Sequence, residues 1–204
     1  YPHAGCKKEC CTGLFESRKT GAMVSCLAII DPETKQRWIL DCTPDFPQQL
    51  AILEKLYPRP KGHPLIDGIF LTHAHIGHYS GLIHLGREVI GAKSIPVHVM
   101  PRMKGFLQTN GPWDQLVRLS NITLKDLQAG RIIKLNDRIK IEAITVPHRD
   151  EYSETVGFRV IGPRKSILFI PDIDRWEKWD LQIETLIGEV ERSYLDGTFF
   201  SSSE

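Results

Sequence analysis

Three of the chain's eight histidines fall within six positions of one another, in LTHAHIGHYSGL at residues 71–82. His73, His75 and His78 follow an apolar run, with Gly77 directly before the last of them. In an extended segment, side chains two apart point the same way, so His73 and His75 face one point in space. Gly77 lets the backbone bend, and His78 then falls at the first turn of a following helix. Three imidazoles converging beyond a strand's carboxyl end make a borderline-soft nitrogen site suited to Zn²⁺. The end of a strand is also where open α/β sheets hold their ligands. The chemistry on offer is that of a Lewis acid with an open position, which polarises a carbonyl or phosphoryl oxygen and lowers the pKa of a bound water to about 7. Hydrolysis of an ester, lactone or phosphodiester is the reaction class that follows. His3, His63, His84 and His98 stand alone and read as ordinary surface or packed residues.

The elements that must position these side chains are legible in outline. IDGIFLTH (66–73) reads as a short buried strand, and the residues after it predict a helix over 79–90 with Leu82, Ile83, Gly86, Val89 and Ile90 inward. Upstream, VSCLAII and RWILDC are β-rich runs joined by the turn-rich DPETKQ, which predicts a hairpin. FPQQLAILEKLY (46–57) has helical spacing and ends before Pro58. SIPVHVM is another strand, and PRMKGFLQTNG and PWDQLVRLS are short helices with Pro near each start. From Arg131 the texture changes to three strands in succession, RIIKLNDRIKIEAITVPH, ETVGFRVIG and SILFIPD, before DRWEKWDLQIETLIGEV (174–190) returns to helix. Alternating strands and helices argue for an α/β fold in which helices cover sheet.

Composition narrows the function classes. A chain of 204 residues with 41% hydrophobic and 25% charged residues is one soluble globular domain spanning 1–204. Its 26 Lys+Arg against 25 Asp+Glu leave a net charge of +1, no footprint for nucleic acid or an anionic membrane. The longest apolar runs are strand-sized, and no signal-peptide pattern opens the chain. Five cysteines, with Cys26 and Cys42 in apolar surroundings, favour free thiols in a reducing, cytoplasmic setting. The chain starts at Tyr1 and stops just after the strand-like ERSYLDGTFF, so both ends read as cut. A homodimer is compatible with this sequence, and no apolar stripe demands one.

THAHIGH resembles the HxHxDH signature of the metallo-β-lactamase superfamily, with Ser80, Gly81 and Leu82 matching the start of the helix that follows it. Further marks fall in the family's order. ILDCTPD resembles its first motif, with Asp41 supporting the histidines from behind. TVPHRDEYSETVGFRV resembles the segment carrying the next metal-binding histidine, here His148. SILFIPDID resembles the strand that ends in a metal-bridging aspartate, here Asp172. YPHAGC, CTPDFPQQL and HIGHYSGL most resemble the pyrroloquinoline quinone biosynthesis protein B-like branch. The resemblance implies an αββα sandwich with a metal site at one edge.

Two departures matter. Gly77 stands where the family has an aspartate that holds a second metal, and no histidine follows His148 to supply the family's final ligand. His73, His75, His148 and Asp172 remain for one site, and only His78 and Asp172 for the other. One tight metal and a weak or empty second site are therefore expected. His78 is then available as a proton carrier, and Asp172, Asp150 or a group outside the chain as the one that orients water. Competing readings stand beside some of these assignments: Asp41 as a turn cap in DCTPD, and Asp172 or, better placed, Asp174 as the N-cap of the next helix. Cys6, Cys10 and Cys11 in GCKKECC form either a structural zinc site like that of the resembled branch or free thiols on a loop. Arg149 and Tyr152, in the polar loop after His148, are the candidates for orienting substrate charge. Arg102, Lys104 and Trp113 either meet an anionic, partly planar substrate or belong to a packed helical insert with Met103, Phe106 and Leu107 inward. Three functions follow: a hydrolase of a small ester, lactone or phosphodiester; an iron-dependent redox enzyme in quinone-cofactor biosynthesis, since the same donors accept Fe²⁺; and a non-catalytic metal-binding module.

Overall fold

The computed structural model of the chain describes residues 5–8, 11–12 and 23–198. Two five-stranded sheets face each other. The first has the order β1 (Leu27–Ile30), β2 (Arg37–Leu40), β3 (Gly68–Phe70), β4 (Ile95–Val99), β5 (Ile122–Asp126). Its β1–β2 hairpin is antiparallel and the other pairings are parallel. Parallel neighbours require crossovers. These run through α1 (Phe46–Leu56), α2 (Ile76–Tyr79) with the 3₁₀ turn Ser80–Leu85, and α3 (Pro101–Thr109) with α4 (Trp113–Arg118). The second sheet runs β6 (Ile132–Lys134), β7 (Lys140–Thr145), β8 (Val156–Ile161), β9 (Ser166–Ile170) as an antiparallel meander, and β10 (Arg192–Leu195) joins it parallel to β9.

Side-chain alternation along the strands builds the layers. In β2, Trp38 and Leu40 turn inward to meet Phe70 and, from the second sheet, Ile141, Phe158 and Phe169. Ile39 points the other way, where Ile69 and Val97 pack on Phe46, Leu53, Leu82, Met103 and Leu107. The far face of the second sheet is covered by Trp176, Trp179 and Leu186, the last from α5 (Ile183–Gly188), over Ile144, Leu168 and Ile170. Helix, sheet, sheet, helix is the αββα sandwich expected.

Several elements differ from their sequence reading. The helix over 79–90 contracts to α2 and the 3₁₀ turn, and Ile83, Val89 and Ile90 are exposed rather than inward. A Cβ on Gly81 would lie 2.1 Å from the Thr43 carbonyl. The segment therefore lies directly on the backbone after β2, and Gly91, at φ +61°, turns the chain back. Segment 174–190 breaks into the 3₁₀ turn Trp176–Lys178 and α5, because Trp179 is drawn onto β7, where its Nε1–H donates to the Thr145 carbonyl at 2.9 Å. RIIKLNDRIKIEAIT is a hairpin, not one strand: Asn136 Oδ1 accepts from the backbone N–H of Arg138 and Ile139 and closes the turn. ITLKD, half of it polar, forms the edge strand β5, which apolar patterning does not single out. The helical insert is packing, with Met103 and Leu107 fully buried and Phe106 partly so.

His98, on β4, is partly buried with its ring stacked on Phe70 (4.2 Å between centroids, 7° between planes) and Nδ1 unpartnered. Burial and then the charge of Lys125 lower its pKa to about 4. The unfolded chain gains a proton below about 6.5 that the folded ring refuses until about 4, so stability falls as pH drops through that window. Between pH 6.5 and 5 the loss from this residue is about 2 kcal/mol. Urea unfolding at the two pH values should show His98→Phe flattening the dependence by about that amount; an unchanged slope would refute the assignment.

Candidate metal centre

The centre sits where β2, β3, β7 and β9 end. After Phe70 the chain leaves the ladder, earlier than the strand end read from sequence, and His75, itself in an extended conformation, is the residue before α2. At the end of β2, Asp41 is fully buried and adopts φ +64°, a left-handed conformation that non-glycine residues seldom take. That turn aims its carboxylate at the histidine segment. Oδ1 accepts the Thr72 backbone N–H at 2.8 Å, and Oδ2 lies 2.9 Å from Thr72 Oγ1 and 2.7 Å from His78 Nδ1.

These contacts fix which ring nitrogens carry protons. A carboxylate only accepts, so the Thr72 hydroxyl donates to Asp41 and itself accepts from His73 Nδ1–H at 2.9 Å. His78 likewise donates Nδ1–H to Asp41. His148, just beyond β7, donates Nδ1–H to Asp174 Oδ1 at 2.9 Å, and His75 donates Nε2–H to Glu151 Oε2 at 3.2 Å. His73, His75 and His148 thus each spend the outer nitrogen on an oxygen and turn a lone pair inward.

The inward atoms are close together. His75 Nδ1 lies 2.9 Å from His73 Nε2 and 3.1 Å from His148 Nε2. Asp172 Oδ2, just beyond β9, is 3.4 Å from His73 Nε2 and 3.7 Å from His148 Nε2. Three lone pairs and a carboxylate oxygen this close repel one another unless a cation lies between them. Ligand atoms around tetrahedral Zn²⁺ at its usual bond lengths are about 3.3 Å apart, so the spacing fits. His73, His75, His148 and Asp172 are the one such metal-competent group among the described residues.

His78 stands outside that group, with Nε2 3.3 Å from Asp172 Oδ2. Burial opposes its charge, but Asp41 and Asp172 outweigh burial and raise its pKa to about 10. Without metal, the ring is a cation held between two carboxylates. Burial likewise opposes the charge of Asp172, yet His73 and His78 hold its carboxyl far below the usual range. Burial lowers the pKa of His73, favouring the neutral ring a metal needs. A Cβ built on Gly77 meets only Val24 Cγ1, at 3.6 Å, so a side chain has room there and none is present.

Two residues behind the histidines escape the sequence reading. Asp174 does not cap a helix; its carboxylate orients His148, as the next 3₁₀ turn starts only at Trp176. Glu151 orients His75 from an exposed loop whose run of charges looks merely solvated. Spacing to the nearest ligand was the available signal: Asp174 lies two residues after Asp172, and Glu151 three after His148. Asp41 is hydrogen-bonded to His78 directly and to His73 through the Thr72 hydroxyl. Arg149 is exposed beside Glu151, and Tyr152 is exposed with its ring 5.4 Å from Phe106. Arg102, Lys104 and Trp113 contact Asp150, Asp126 and the Tyr79 ring, respectively. Cys6 and Cys11 lie within the described residues and Cys10 outside them, so the three-thiol zinc reading lies outside them too.

Solved structures with the same fold include Zn²⁺-bound PqqB from Methylobacterium extorquens, at TM-score 0.78 and 19% identity, covering 97% of this chain and 68% of that one. A diphosphatase of the PhnP family aligns at TM-score 0.59 and 19% identity over 91% of this chain and 64% of its own. Human tRNase Z, short form, aligns at 0.51 and 16% over 74% and 62%. A comparison with curated protein sequences gives no match. No helix among the described residues is long and apolar enough to cross a membrane. The beta-lactamase superfamily domain matches residues 36–204, and with the motif order and the sandwich already in place, the chain belongs to that family.

Proposed function

We propose that the protein is a metal-dependent hydrolase of a small ester, lactone or phosphodiester, holding one Zn²⁺ tightly through His73, His75, His148 and Asp172. The observation that supports this is the proton arrangement: His73, His75 and His148 are each tied at the outer nitrogen and offer an inner lone pair. Zn²⁺ held there supplies Lewis acidity toward water and toward a carbonyl or phosphoryl oxygen. The chain's own residues do the rest. Asp172, 31% exposed, faces the open side and orients water. His78 holds a proton at Nε2 beside it, available to a departing alkoxide. Arg149 and Tyr152, on the exposed loop, orient substrate charge. Gly77 supplies no carboxylate, so the second position keeps too few donors for tight binding. Similarity in fold to a PhnP-family diphosphatase favours phosphoryl compounds among the substrates to be tried.

The same donors accept Fe²⁺, and likeness to PqqB supports a redox role in quinone-cofactor biosynthesis as the second reading. Protein purified without added metal should contain about one tight equivalent. It should cleave members of a panel of lactones, thioesters and bis-aryl phosphates, lose that activity to a chelator and regain it with Zn²⁺. Full occupancy with no cleavage of any of these would sink the hydrolase reading, and dioxygen consumption by the Fe²⁺ form would favour the redox one.

A further inference from the structure

His75 is the most exposed ring of the four-residue group, with 23% of its side chain accessible, and Glu151, which orients it, is 52% exposed. An exposed carboxylate on an exposed loop is a poor anchor unless the loop itself is held. The structure shows what holds it. Arg102, at the start of α3, reaches across to residues 150–151. Its Nη2 donates to the Asp150 carbonyl at 2.7 Å and the Glu151 carbonyl at 3.3 Å, and Nη1 donates to Asp150 Oδ2 at 3.1 Å. In return, Glu154 accepts the backbone N–H of Arg102 at 3.0 Å, covering one of the amides that a helix start leaves unpaired. Beyond the loop, Ser153 Oγ accepts the Ala74 N–H at 2.8 Å, between His73 and His75.

We infer that Arg102 is a positioning residue for the metal centre: it fixes the backbone of residues 150–151, so that Glu151 holds His75 with the proton on Nε2 and the lone pair on Nδ1. The planar guanidinium suits this role because three donors in fixed geometry meet two carbonyls and a carboxylate at once. With the fork removed, the loop relaxes, Glu151 leaves His75 and the ring samples the tautomer that blinds Nδ1. The inference rests on the metal reading above for its consequence, but the tautomer is a property of the protein alone.

Arg102→Met keeps the aliphatic stem and removes the donors, and because the side chain is 49% exposed, the fold does not depend on it. Long-range ¹H–¹⁵N correlation spectra of the metal-free protein should show a larger Nε2–H fraction for His75 in the wild type than in Arg102→Met. Competition with a chromophoric chelator should show zinc binding about 10-fold weaker, the usual loss when a ligand's hydrogen-bond partner is removed. Glu151→Gln should weaken zinc similarly, and the double variant should be no worse than Glu151→Gln alone, because the two act in series. Arg102→Lys, with one compact donor group, should recover only part of the affinity. An unchanged tautomer in Arg102→Met, or effects of the two substitutions that simply add, would overturn the inference. Wild-type protein that binds no zinc would overturn the metal reading instead, leaving the tautomer comparison to decide on Arg102.

Discussion

Replacing Asp41 with asparagine is expected to destabilise the metal-free protein by about 2–4 kcal/mol, because a buried network loses the carboxylate on which its donors converge. Asparagine has the same shape and tolerates φ near +64°, so neither packing nor backbone strain changes much. What changes is donor and acceptor chemistry. Oδ2 now accepts from both Thr72 Oγ1 and His78 Nδ1, and Oδ1 accepts from the Thr72 amide. An amide –NH₂ in either place sets donor against donor in a site buried from solvent. The Thr72 hydroxyl must turn, and the tautomers of His73 and His78 lose their definition with it. Zinc affinity should fall about 10- to 100-fold although Asp41 touches no ion. Urea unfolding of the metal-free variant and zinc competition test both halves. A variant within about 0.5 kcal/mol of wild type, the range of ordinary surface changes, would show that the network is not a support.

Gly77→Asp should change how many ions the protein holds. The direction a Cβ would take from Gly77 is open except for Val24 Cγ1 at 3.6 Å, and the φ of Gly77 is not among the positive values, so an aspartate fits without strain. Its carboxylate would join His78 Nε2 and Asp172 Oδ2, which already stand 3.3 Å apart. Bound metal is expected to rise from about one to about two equivalents per chain at neutral pH, three protein donors being what a catalytic zinc site ordinarily uses. Competing for the second site, the proton on His78 Nε2 must leave, so the second equivalent should bind more tightly as pH rises. Elemental analysis after dialysis decides the matter. Two equivalents in wild type, or no second equivalent in the variant, would each refute the ligand count.

Much of the centre was legible because its signals are local. His73, His75 and His78 are close in the chain, and the first two meet with His75 Nδ1 2.9 Å from His73 Nε2. Motif order then pointed to Asp41, His148 and Asp172. The helices were less legible where a tertiary contact overrode local pattern: the apolar spacing of 79–90 promised a full helix, but the close approach of Gly81 to the Thr43 carbonyl leaves room for a turn only. Strand β5 was hidden because an edge strand needs few apolar residues.

By itself, then, the sequence determined which donors exist, that a carboxylate is missing at position 77, and that strands and helices alternate. Tertiary structure decided which nitrogen of each ring faces inward. That choice depends on partners far away in the chain: Asp41 for His78, Asp174 for His148, Glu151 for His75. Metal affinity depends on ring orientation and proton placement, and both are properties of contacts between segments, which no local pattern of residue types encodes.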